Sequence, residues 1–161
     1  MHKVYWGRGG IVYMSESQKD NDLFFVCSLI ENISRKTKNT KKYVVEKLGK
    51  QNIQKIYDLA EVYHSENLEK VTDEFIGECK IENGNYDVVT NCEYRVPSIW
   101  ELGRIYQRLI IMVDSTEDRY IDTLYEVLSS WIIEKIDNYN SSMYYENPGY
   151  IYQCYVENKV L

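Results

Sequence analysis

Proline, glycine and cysteine are all scarce in this chain of 161 residues, which holds 2 Pro, 8 Gly and 4 Cys. So little proline and glycine argues against collagen-like, linker-rich and many-turned all-β chains. The longest apolar stretch, residues 23–30, is interrupted by Ser28 and is far shorter than the roughly 20 residues that cross a bilayer. The first residues show no secretory signal. We therefore expect a soluble, cytoplasmic globular protein with no membrane partner.

The cysteines are far apart in the sequence and form no Cys-x-x-Cys pair; they are Cys27, Cys79, Cys92 and Cys154. This spacing does not support a zinc ribbon or a redox motif, and we expect four reduced thiols. The sequence also contains no Gly-x-Ser-x-Gly or His-Glu-x-x-His motif. It therefore predicts no catalytic residues, no metal site and no cofactor.

Apolar residues recur with helical spacing along most of the chain, which predicts a mainly α protein with about seven helices in two groups. The first group is a four-helix module over 18–80, and the second is a three-helix module over 97–161 that packs on the first. Capping residues mark four helix starts, at Thr40, Asn67, Ser98 and Asn147. The predicted helices cover about 20–35, 41–48, 52–64, 67–79, 98–113 and 116–139, with a last helix from Pro148.

A small β element, made of a hairpin and one further strand, is expected beside the helices. In the N-terminal β segment, residues 1–17, two β-prone triplets flank a glycine-rich turn over 3–13, which is typical of a hairpin. Residues 81–96 are a linker, and β-prone residues over 86–96 predict a strand that could pair with the hairpin.

The two helices on either side of the short connection Asp114-Ser115 should be antiparallel neighbours. Their apolar stripes predict four core residues, namely Trp100, Leu109, Trp131 and Ile132. His64 is the only histidine away from the N-terminus. We interpret it as a structural residue that hydrogen-bonds carbonyls at a helix end, and the alternative is a general base or metal ligand.

The chain is unusually rich in tyrosine, with 16 residues. Tyrosine packs its ring while its hydroxyl stays hydrated, so it suits interfaces. A bias of an AT-rich genome, which also favours Asn, Lys and Ile, is the alternative explanation. The interface interpretation predicts a protein partner, leaves homo-oligomers open, and assigns the contact to Tyr139, Tyr144, Tyr145 and Tyr150.

The basic residues are concentrated although the net charge is −6, with seven Lys or Arg and one acid between Arg35 and Lys50. Two predicted helices separated by Gly49 resemble a helix-turn-helix. The alternative function is therefore a DNA-binding regulator that uses segment 35–55, and a solvated helix face is the simpler interpretation. The candidate nucleic-acid contacts are Lys41, Lys42, Lys50, Gln51 and Lys55.

Four segments between residues 22 and 76 carry a family resemblance: Leu23-Phe24-Phe25-Val26-Cys27, Tyr43-Val44-Val45-Glu46-Lys47-Leu48, Tyr63-His64 and Val71-Thr72-Asp73-Glu74-Phe75-Ile76. They resemble a small, uncharacterised helical family of bacteria, often encoded beside proteins resembling ADP-ribosyltransferases. The glycine usual after the family's histidine is absent, since Ser65-Glu66-Asn67 stands there. The resemblance implies an antitoxin-like partner role. The leading hypothesis is a non-enzymatic, intracellular protein-binding module.

Overall fold

The computed structural model describes the backbone of residues 2–7, 10–15 and 17–161 and the side chains from Ser17 onward. The predicted mainly α class is confirmed. The helices are α1 (Gln18–Thr37), α2 (Lys41–Asp58), α3 (Ala60–Ser65), α4 (Leu68–Glu78), α5 (Ile99–Val113), α6 (Tyr120–Leu128), α7 (Ile132–Asp137) and α8 (Pro148–Glu157). Met143–Tyr145 form a 3-10 turn. Every helix in the described ranges is too short or too polar to traverse a membrane.

The predicted capping residues begin the helices as expected. Each uses a side-chain oxygen to accept a backbone N–H that the first helical turn leaves free; these residues are Thr40, Asn67, Ser98 and Asn147. Gly49 interrupts α2 with φ 73° and ψ 157°, a left-handed conformation that glycine adopts without a steric penalty. Local sequence signals therefore predict the starts of four of these eight helices.

The predicted helix over 116–139 is wrong, because the chain forms two shorter helices there, and the predicted helix over 52–64 is likewise divided between α2 and α3 at Leu59. The helix α6 ends at Leu128 and α7 begins at Ile132. The hydroxyl of Ser130 donates to the carbonyl of Val127 at 2.6 Å. Such a local side-chain bond competes with the helical hydrogen-bond pattern, and it ends α6 although the apolar stripe continues beyond this point.

The strands β1 (His2–Gly7) and β2 (Gly10–Ser15) pair antiparallel, in the segment where the sequence places its hairpin. Between residues 17 and 161 the described backbone contains no strand, so the strand predicted over 86–96 is wrong. There the amide of Glu93 donates to the Asn140 side chain at 2.7 Å, and the Asn140 amide group donates to the Asn91 carbonyl at 2.9 Å. Side chains thus satisfy backbone groups that a strand would pair with a neighbouring strand.

The core is one contiguous hydrophobic cluster that includes buried side chains from both helical groups. The long helix α1 contacts α2, α3, α4 and α5. Of the predicted core residues, Leu109 and Ile132 are buried and Trp131 is half-buried, but Trp100 is 36% exposed. The prediction for Trp100 is wrong because this residue lies in the first turn of α5, where its ring contacts Phe24 and His64 at the surface.

Helices α1 and α5 approach each other closely at Ser28 and Gly103. A Cβ atom on Gly103 would overlap the Ser28 hydroxyl and lie 3.0 Å from the Ser28 Cα. A side chain at position 103 would therefore push the two helices apart.

We expect Gly103→Ala to lower the free energy of unfolding by about 1–3 kcal/mol, the usual effect of overpacking a core contact. The matched control is Gly77→Ala in α4, where an added Cβ meets no atom within 4 Å. That variant should be neutral or more stable, because alanine is the better helix former. Urea denaturation of both variants checks this, and equal stabilities would show that α1 and α5 are not in close contact at residue 103.

Candidate functional site

Lys41, the first residue of α2, is fully buried between two carboxylates. Its Nζ lies 2.7 Å from Oδ1 of Asp137 at the end of α7, and it also pairs with Oε2 of Glu31 on α1. A buried ammonium group is tolerated only with such partners. The prediction that Lys41 contacts nucleic acid is therefore wrong, since its charge is used inside the protein.

Further side chains complete this buried site. The Tyr106 hydroxyl donates to Oδ1 of Asp137 at 3.0 Å, and the Tyr139 hydroxyl donates to Oε1 of Glu31 at 2.7 Å. Arg35 lies 3.1 Å from the same Glu31 oxygen and also donates to a backbone carbonyl, that of Pro97, at 2.7 Å. The ion cluster, as we name it, consists of Glu31, Arg35, Lys41, Asp137, Tyr106 and Tyr139. Its two cations balance its two carboxylates, and it joins α1, α2, α5 and α7.

Burial and neighbouring charges act in opposite directions on the carboxylates. Burial alone would raise the pKa of Glu31, but Lys41 and Arg35 outweigh it and lower that pKa. At Asp137 burial is the larger influence, so its pKa is raised although Lys41 opposes the shift. Burial, followed by the nearby Glu31 carboxylate, also raises the pKa of Tyr139. Its hydroxyl therefore stays protonated and acts as a donor.

A row of tyrosines leads from the ion cluster to the protein surface. Tyr139 is only 3% exposed, so its prediction as a partner contact is wrong; its hydroxyl binds Glu31 instead. The rings of Tyr139 and Tyr144 meet edge-on with centroids 5.7 Å apart, and those of Tyr144 and Tyr145 with centroids 4.9 Å apart. Tyr145 is 67% exposed. The buried cluster thus supports an exposed aromatic ring.

Tyr144 and Tyr145 line a groove of about 240 Å³ between α5 and the start of α8. We name it the tyrosine groove; its other lining residues are Ile105, Arg108, Leu109, Glu146, Asn147, Pro148 and Ile151. Mostly apolar surface with one cation and one anion suits an apolar side chain flanked by polar groups. The fourth predicted contact, Tyr150, is half-buried, and its hydroxyl donates to the Leu161 carbonyl at 2.5 Å.

The predicted basic surface is interleaved with acids. Lys50 lies 3.1 Å from Asp122, and Lys36 lies 2.7 Å from Asp73. The remaining candidate nucleic-acid contacts are exposed; they are Lys42, Gln51 and Lys55. Ion pairs with acids of the same chain weaken the positive field that phosphate groups would meet. The described geometry therefore favours the tyrosine groove over segment 35–55 as the candidate site.

His64 is exposed, and its ring meets the rings of Phe25 and Trp100 edge-on. At the end of α3 it is the Ser65 hydroxyl that donates to a carbonyl, that of Val62, at 2.7 Å. The hydrogen-bonding role predicted for His64 is therefore replaced by ring packing. From Ser17 to Leu161, no group of three or more His, Cys, Asp or Glu side chains is arranged to hold a metal ion.

We expect Lys41→Met to lower the free energy of unfolding by about 3–5 kcal/mol, because it leaves two buried carboxylates without their shared cation. The control is Lys42→Met on the exposed side of the same helical turn, which should change stability by less than about 0.5 kcal/mol. Thermal or urea denaturation near neutral pH checks the pair. Similar losses in both variants would mean that the Lys41 ammonium is hydrated rather than buried.

The deficit of Lys41→Met should shrink as the pH falls. Burial raises the pKa of Asp137 while Lys41 opposes the rise, so removing Lys41 should raise this pKa further. A carboxylate with a raised pKa in the folded state destabilises the protein above that pKa and stops doing so once it is protonated. We expect the difference from wild type to fall by at least half between about pH 7 and about pH 4. A deficit that grows on acidification would contradict this.

Known proteins offer no relative from which a function could be inferred. The chain matches no protein-family model, no curated protein and no solved structure. The resemblance noted for residues 22–76 therefore stays a prediction.

Proposed function

We propose that this protein is a non-enzymatic protein-binding module whose partner places an apolar side chain in the tyrosine groove. The observation that carries the proposal is Tyr145, which is 67% exposed yet packed against Tyr144 beside a concave surface. Exposed aromatic rings next to a pocket are characteristic of the residues that dominate binding energy at interfaces.

The support beneath the groove favours binding with a small entropic cost. Tyr144 is held between Tyr145 and the buried Tyr139, whose hydroxyl donates to Glu31. Side chains that are ordered before binding lose less conformational freedom when a partner arrives. The groove is therefore preorganised, and a partner can bind it without rearrangement of the ion cluster.

The charge of the chain indicates the kind of partner. A net charge of −6 attracts a basic protein over the distance of electrostatic steering. In the groove, Arg108 and Glu146 flank the apolar surface and can orient the segment that enters. The family resemblance adds the proposal that this partner is an ADP-ribosyltransferase-like toxin encoded next to this chain, which the protein would neutralise as an antitoxin.

Tyr145→Ala should weaken partner binding by at least about 30-fold, since truncation of a central aromatic contact costs roughly 2 kcal/mol or more. The matched control is Tyr94→Ala, because Tyr94 is 70% exposed and does not line the groove. The product of the neighbouring gene is the first partner to test, by co-purification and then titration calorimetry with the purified proteins.

Both variants should keep the wild-type unfolding temperature within a few degrees, since neither ring is in the core. Equal binding by wild type, Tyr145→Ala and Tyr94→Ala would place the interface outside the groove. Loss of binding in both variants would indicate a general effect of removing surface tyrosine. Either result contradicts the proposal for the groove.

A further inference from the structure

A second concave site lies between α1, α3 and the first turn of α5, and we name it the aromatic cleft. Its volume is about 360 Å³, within the usual range for sites that bind small ligands. Its aromatic and acidic lining residues are Asp22, Phe24, Phe25, Glu61, His64 and Trp100. None of them belongs to the tyrosine groove or to the ion cluster.

The rings of the cleft hold one another in place. The centroids of Phe24 and Trp100 are 5.8 Å apart, and His64 meets both Phe25 at 5.6 Å and Trp100 at 6.1 Å with nearly perpendicular planes. Trp100 remains 36% exposed, although its position in the sequence pattern predicts a core residue. Its ring is therefore part of the cleft wall and is accessible to a ligand.

The cleft is also negatively charged. Asp22 and Glu61 line it, and neither forms an ion pair with Lys or Arg in the part of the chain that the structure describes. Asp22 accepts a hydrogen bond from the Gln18 amide at 2.7 Å. Burial raises the pKa of Asp22, and the nearby carboxylates of Glu61 and Asp58 raise it further. A cation in the cleft would relieve this repulsion.

One aromatic ring of the cleft already contacts a cation. The guanidinium carbon of Arg104 lies 3.9 Å from the centroid of the Phe24 ring, and Arg104 is not among the described residues that line the cleft. This contact shows that the local geometry accepts a planar cation against an aromatic face.

We propose that the aromatic cleft binds a weakly hydrated organic cation, that is, a methylated ammonium or guanidinium group. Aromatic faces attract such groups through the ring quadrupole, and the two carboxylates supply the opposite charge. A divalent metal ion fits less well, because it requires several oxygen ligands at once and most of the surface of this wall is apolar. The site is separate from the groove, so this inference does not depend on the proposed function.

The test compares choline with 3,3-dimethyl-1-butanol, a neutral molecule of the same shape. Each is titrated into the full-length protein at low ionic strength while NMR records the indole N–H signal of Trp100, which the variant Trp100→Phe assigns. Choline should give a saturable shift, and the neutral molecule should bind at least about fivefold more weakly, since the cation–π contribution is about that large. N-acetylarginine amide, titrated in parallel, represents an arginine side chain of a protein. Comparing its affinity with that of choline shows whether the cleft prefers a free small cation or a basic side chain.

Variants that remove charge distinguish the contribution of the carboxylates to binding from that of the rings. The double variant Asp22→Asn, Glu61→Gln keeps the ring contacts and should weaken choline binding at least about fivefold. Glu78→Gln, an exposed acid outside the cleft, should leave binding unchanged. Equal affinity for choline and its neutral counterpart, no saturable shift with either cation, or an equal effect of the double variant and Glu78→Gln would each overturn the proposal.

Discussion

The arrangement of the helices depends on the buried ammonium group of Lys41. It lies between carboxylates on α1 and α7, and Tyr106 of α5 donates to one of them. A buried ion pair adds little net stability compared with apolar residues of the same size, but separating its members leaves an uncompensated charge in the core. Packings that shift α7 relative to α1 are therefore disfavoured. The position of Tyr139, two residues after α7, is determined together with that of α7.

The sequence predicts features that depend on near neighbours. The caps at Thr40, Asn67 and Ser98 and the break at Gly49 follow from residues within one helical turn. The division between α6 and α7 could not be read from the apolar stripe, because that stripe continues through Ser129 and Ser130 while local hydroxyl bonding ends the helix. Periodicity identifies the buried faces but does not show where a helix stops.

The ion cluster is harder to predict than the helices because its members are distant in sequence. Lys41 and Asp137 are 96 residues apart, and Tyr139 and Glu31 are 108 residues apart. A lysine next to a helix cap is normally exposed. Nothing in the sequence around Lys41 therefore indicates that this residue is buried. The sequence around Glu31 does indicate burial, since Glu31 follows Leu29 and Ile30 on the buried side of α1. A charged residue in that position indicates a buried partner elsewhere in the chain.

The proposed protein partner covers the tyrosine groove. Hydrogen-exchange mass spectrometry of the full chain, alone and with the purified partner, tests this claim most directly because backbone amides report on every surface at once. We expect slower exchange over residues 143–151, which carry Tyr144 and Tyr145, and in the facing part of α5. Protection confined to residues 41–55, with unchanged exchange over 143–151, would contradict the claim.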